Sequence, residues 1–210
     1  MKDEEILSSE DFNKCVEFHG HLCPGLAIGF QAARILMERL NVRKAPDEEL
    51  LTIVETDACG TDAIQVMTGC TFGKGNFIFK NYGKHAFSLV DRKRRRGVRV
   101  CLRPDIFKAD PEYFSLSEKV QNNEASPIQL EQFRQLQRER TKKILDADPE
   151  SLFKIEETSP DIPPKARMIE SGICDFCGEP TKMDLLRQMN GQKICILCDH
   201  QREQQDFMAK

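Results

Sequence analysis

Two clusters of nitrogen and sulfur side chains in this chain are suited to hold a metal. The first is Phe18-His19-Gly20-His21-Leu22-Cys23-Pro24-Gly25, which sets two imidazoles and a thiol within five residues. Imidazole and thiolate are the donors that borderline-soft divalent metals prefer, and the short spacing makes it easy for His19, His21 and Cys23 to share one ion. Taken singly, each also reads as a turn histidine satisfied by backbone or as a buried structural thiol.

The second cluster is Cys174-Asp175-Phe176-Cys177, then seventeen residues, then Cys195-Ile196-Leu197-Cys198. Four thiolates in two Cys-x-x-Cys pairs complete a tetrahedral shell with no open position. Cys174, Cys177, Cys195 and Cys198 are therefore expected to bind a structural zinc. Two redox-active dithiols are the competing reading, but neither pair opens a thioredoxin-like βαβ unit. Asn190-Gly191 is the preferred pair for a two-residue hairpin turn, and the chain after Cys198 reads as a helix. The pattern of knuckle, hairpin, knuckle and helix is treble-clef-like, and a core this small needs its metal to fold. From Lys165 to Lys210, seven Lys and Arg face seven Asp and Glu. A nucleic-acid module should be basic, so a protein partner is the expectation for this finger.

The first cluster is positioned by its helices. Pro24 suits a first helical position, which makes Cys23 the N-cap of an apolar helix running to Leu40. A thiol there faces free N–H groups and the positive end of the helix dipole, both of which favour the thiolate. The helix is apolar on most faces, as expected in a core or a subunit interface. A short helix over 11–18, capped by Ser8 or Ser9, delivers the His-Gly-His turn. Downstream, a β-branched strand over 50–56 runs into Asp57-Ala58-Cys59-Gly60-Thr61-Asp62, where a helix starts that Gly69 closes. Cys59 thus lies at a strand-to-helix junction, a place where reactive groups are found, although a buried structural role fits it too. Asp57 and Asp62 are carboxylates that can orient an imidazole or carry a proton. The loop Thr71-Phe72-Gly73-Lys74-Gly75-Asn76 reads as a turn or as an anion cradle with Lys74 reaching toward a site, and it lacks the full P-loop pattern.

Strands over 77–80, 85–90 and 98–103 are expected to form an antiparallel meander, with the basic run Arg92–Arg96 as a solvated connection. Helices follow, one starting at Asp110-Pro111 and one from the capping box of Ser126, Pro127 and Gln129, stopped by Asp148-Pro149. The fold class is α+β, with helices on a mainly antiparallel sheet. The organisation is a core domain over 1–150, a linker over 151–172 rich in Pro, and the finger over 173–210.

Composition narrows the function. The 210 residues are 40% hydrophobic with a formal net charge of -3, enough for a real core and no basis for polyanion binding by bulk charge. No apolar run is long enough to span a bilayer and Met1–Glu5 is no signal peptide, so a cytoplasmic protein without membrane contact is expected. Nine cysteines, an odd number, argue for metal and thiol chemistry over a disulfide framework.

Three segments, Phe18–Gly25, Glu55–Gln65 and Thr68–Asn76, together resemble the FmdE family, named for its association with formylmethanofuran dehydrogenase, and the finger is similar to a zinc domain that some members carry. The resemblance implies an α+β core, an intertwined homodimer, and a metal or active site where the His-x-His-x-Cys segment meets Cys59. Its residues would be His19, His21, Cys23 and Cys59, with Asp57, Asp62, Cys70 and Lys74 in support. The expected function is metal-assisted thiol chemistry at a second transition metal, zinc among the candidates, linked to one-carbon or molybdenum and tungsten enzyme metabolism. The alternative is a non-enzymatic metal sensor or regulator that uses the finger for protein or nucleic-acid contact.

Overall fold

A computed structural model describes residues 9–107, 111–159 and 162–208; Ser8, Asp110 and Pro160 lie outside them. The chain divides after Lys165 into two compact units.

In the first unit, α1 (Glu10–His19) is capped by Ser9, whose Oγ accepts from Phe12 N at 3.2 Å, and it ends at Gly20, where φ is 89°. Helix α2 (Pro24–Leu40) begins, as expected, with Cys23 as N-cap and Pro24 in its first turn. It is the hub of the core, with Leu26, Ala27, Ala32, Ala33 and Leu36 fully buried. Strand β1 (Leu50–Val54) leads into α3 (Gly60–Thr68), which Gly69 closes at φ 75°. Strands β2 (Phe77–Phe79), β3 (Ala86–Asp91) and β4 (Arg96–Leu102) follow, then α4 (Pro111–Gln121), α5 (Pro127–Asp146), the single turn α6 (Pro149–Leu152) and β5 (Phe153–Thr158). The Ser126 capping box is complete, with Ser126 and Gln129 satisfying each other's backbone N–H.

The architecture is α+β, with a mainly antiparallel sheet ordered β2-β1-β3-β4-β5. Two expectations are corrected. Strands β2 and β3 do not pair; β1 lies between them, parallel to β2 and antiparallel to β3. Every residue of β1 and β3 is buried, so the most apolar strands take the sheet centre. The stretch read as linker also contains a strand, because β5 pairs along its whole length with β4, from Leu102 opposite Phe153 to Gly97 opposite Thr158.

Buried Gln31, in the middle of α2, ties α5 to the core. Its Nε2 donates to the carbonyls of Ile144 at 3.1 Å and Leu145 at 2.7 Å, near the end of α5 where carbonyls lack helical partners.

In the second unit, β6 (Ser171–Ile173) pairs with β7 (Pro180–Lys182), and β8 (Leu186–Met189) with β9 (Gln192–Cys195). Asn190 and Gly191 turn the second hairpin at φ 49° and 82°, the left-handed pair such a turn demands. Helix α7 (Ile196–Met208) follows directly. Among the described residues, no helix is long and apolar enough to cross a membrane.

Candidate metal centre

Helix α1 ends on His19, and the left-handed Gly20 turns the chain so that His21 and the N-cap Cys23 come back beside it. The His19 and His21 rings lie 4.4 Å apart between centroids. One donor atom from each of His19, His21 and Cys23 lies within 4.8 Å of the others, close enough for the three to share a metal ion. Cys23 Sγ accepts from Leu26 N at 3.3 Å and faces His19 Nε2 at 3.7 Å. On the other side of the ring, Asp62 Oδ2 holds His19 Nδ1 at 2.7 Å. A carboxylate on Nδ1 fixes the tautomer that leaves Nε2 free to coordinate.

Cys59 arrives from the strand-to-helix junction through a contact of backbones. A Cβ on Gly29 would overlap the carbonyl of Gly60, and one on Gly60 would stand 3.0 Å from the carbonyl oxygen of Gly25. A Cβ on Gly25 would be 3.2 Å from Cys59 Cβ, 3.6 Å from its Sγ and 3.9 Å from Cys23 Sγ. Three glycines thus allow α2 and the start of α3 to touch, and that contact seats Cys59 against Cys23. Cys59 stands beside the converging trio and, among the described residues, is not part of it.

The two thiols share a hydrogen bond and behave oppositely. That bond from Cys23 holds the Cys59 thiol well below its ordinary range, and the charge of His19 adds to the effect against the cost of burial. Cys23 is pushed up, first by the same bond and then by its burial. Burial works most strongly against a charged His19, but the Asp62 bond and the Cys59 sulfur together raise its pKa.

A cavity of about 340 Å³ opens on this cluster. His21, Cys23, Cys59 and His85 form one end. Ile28 and Ile144 line the body, and α4 and α5 supply an aromatic wall of Tyr113, Phe114 and Phe133. The Tyr113 and Phe133 rings are 5.4 Å apart, and the Arg140 guanidinium lies 4.4 Å above Tyr113. Sequence alone places α4 and α5 as helices but does not bring them to this site. The signal was an aromatic pair at 113 and 114 and a lone Phe133 on helices otherwise rich in charge.

The remaining candidates are placed apart. Asp57 is exposed on the β1–α3 connection and Cys70 is fully buried. Lys74 sits in a 3-10 turn and lines a different hollow, of about 550 Å³, with Phe18 and Lys44.

In the second unit, the donor sulfurs of Cys174, Cys177, Cys195 and Cys198 all lie within 4.8 Å of one another. Cys195 N donates to Cys174 Sγ at 3.3 Å. Backbone N–H groups of Cys177 and Cys195 pull the Cys174 thiol down to about 6. Four convergent sulfurs with backbone donors aimed at one of them can hold a metal ion, as the spacing requires.

A family model described as FmdE, Molybdenum formylmethanofuran dehydrogenase operon, matches residues 18–154. A curated relative from Archaeoglobus fulgidus, a probable S-adenosyl-L-methionine-binding protein, is 34% identical over 173 residues, covering 78% of this chain and 46% of its own length. The chain therefore spans about half the length of that relative. Among solved structures, a tungsten formylmethanofuran dehydrogenase FmdE-like protein from Syntrophus aciditrophicus aligns with a TM-score of 0.59 and 25% identity, over 95% of this chain and 92% of that one.

Proposed function

This chain belongs to the FmdE family, and on that premise we propose that its first unit binds a transition metal through His19, His21 and Cys23, beside a reactive thiol, Cys59. The observation that carries the reading is the convergence of those three donors, with Asp62 fixed on the far nitrogen of His19. Two imidazoles and one thiolate suit zinc or a neighbouring first-row ion, and three protein donors are the number that catalytic zinc sites use. When bound, such a metal supplies Lewis-acid polarisation and lowers the pKa of a coordinated water.

The chain's own residues do the rest. Asp62 holds the His19 ring, and Leu26 N–H steadies the Cys23 sulfur. Cys59, seated against Cys23 by the Gly25 contact, lines the cavity as the nucleophile. Asp62, bonded to His19, is the nearer carboxylate for carrying a proton. Asp57 is the more remote carboxylate. We place this chemistry in one-carbon and molybdenum or tungsten enzyme metabolism, a reading supported by the formylmethanofuran dehydrogenase operon in the family's description.

In the second unit we assign zinc to the four cysteines, in a structural role. A sensor or regulator is the second reading, favoured by the apolar side chains that this unit exposes: Met168, Phe176 and Leu197 are all more than half exposed. A protein partner fits them. A cytoplasmic homodimer, a core extended through β5 and a finger over 173–210 complete the proposal.

Metal analysis of two variants tests it. Cys23→Ser should lose the metal of the first unit and keep the zinc of the second. Cys59→Ser should keep both metals and lose its rapid alkylation by iodoacetamide. Unchanged metal content in Cys23→Ser would overturn the assignment.

A further inference from the structure

The cavity beside the cluster has a composition that restricts what enters it. Its volume of about 340 Å³ lies at the small end of ligand pockets. Its lining is largely apolar, with Ile28, Phe114 and Phe133, beside the uncharged Ser117, Gln121 and Gln137 and one cation, Arg140. It offers no acidic side chain among the described residues. Its far end is made of the nitrogen and sulfur groups His21, Cys23 and Cys59.

We propose that this cavity binds a small organic thiol, with its sulfur at the His21, Cys23 and Cys59 end and its aromatic or branched apolar body against Phe114, Phe133 and Ile28. The inference rests on the metal reading above, because a soft donor is favoured where a His and Cys shell keeps a position open. Three protein donors converge among the described residues, one fewer than a tetrahedral ion takes. A thiol is also cheaper to bring into an apolar cavity than a carboxylate of the same size, which must shed a strongly bound water shell. The body gains its binding from removal of apolar surface from water.

The test is calorimetric titration of phenylmethanethiol into the zinc-loaded full chain under anaerobic conditions, with metal content measured on the same samples. Toluene, phenylacetate and the metal-depleted chain serve as comparisons. Binding of the thiol should exceed that of both comparison ligands and fall when the metal of the first unit is removed. Ser117→Phe, which fills the cavity without removing a core contact, should abolish it. Phe133→Ala should weaken it about tenfold and leave the metal content unchanged. With the first unit's metal present, no thiol binding, equal binding in Ser117→Phe, or tighter binding of phenylacetate would each overturn this inference while the metal reading stands. Absence of that metal would overturn both.

Discussion

Asp62 Oδ2 lies 2.7 Å from His19 Nδ1 across 43 residues of chain, a side-chain bond between the two halves of the candidate metal centre. It ties α3 to the turn after α1 and selects the His19 tautomer whose Nε2 faces Cys23. Carboxylates in this position typically matter by about 10–100-fold in metal affinity. We expect Asp62→Ala to weaken metal binding in the first unit by that range, measured by competition with a chelator. The affinity of the second unit should not change.

Gly29 is the point where two backbones meet. Gly29→Ala places a methyl group inside the Gly60 carbonyl, so α2 and α3 must separate. A loss of about 2–3 kcal/mol in stability is expected, read by urea unfolding. Because the separation moves Cys59 from Cys23, the alkylation rate of Cys59 should fall toward that of an ordinary thiol. A Gly29→Ala protein with wild-type stability and reactivity would contradict the close contact.

Much of this was legible before the structure, and the reason is locality. The Cys23 N-cap, the Pro24 start, the Ser126 capping box and the Asn190-Gly191 turn each depend on a few adjacent residues, so their chemistry can be read from the string. Pairing across the chain could not be read that way. Three apolar runs over 77–103 separated by short connections look like a meander, and nothing local announces that β1 inserts between β2 and β3. Strand β5 was hidden because Phe153–Thr158 has the polar sequence of an edge strand, with charged side chains on its open face. The cavity wall depended on Gln31 holding α5 to α2, a tertiary bond that no spacing rule foretells.

Gln31 gives the next expectation. Gln31→Leu strands the carbonyls of Ile144 and Leu145, which it now satisfies. About 1–3 kcal/mol of stability should be lost, seen as a lower thermal midpoint. The cavity wall loosens with it.

Acid stability should report the Glu55–Arg99 pair, in which Nε and Nη2 of Arg99 bond the two carboxylate oxygens at 2.7 Å and 2.9 Å. That bond from Arg99 holds Glu55 below its ordinary pKa despite the cost of burial. A lowered folded-state pKa contributes stability that is complete above the unfolded value, near about 4.3, and is lost as pH falls through the folded value. The stability gap between wild type and Glu55→Gln, measured by urea midpoints, should be widest above about pH 5 and shrink as pH falls below about 4. A gap independent of pH would show that the pair contributes only packing.

The central claim is that His19, His21 and Cys23 hold a metal distinct from the one in the four-cysteine unit. Anomalous scattering from crystals of the zinc-loaded protein, collected at the zinc edge, tests it most directly. The account predicts one peak among the sulfurs of Cys174, Cys177, Cys195 and Cys198 and a second within bonding distance of His19 Nε2, His21 and Cys23 Sγ. A single peak at the four cysteines, with the second position empty at saturating zinc, would contradict it.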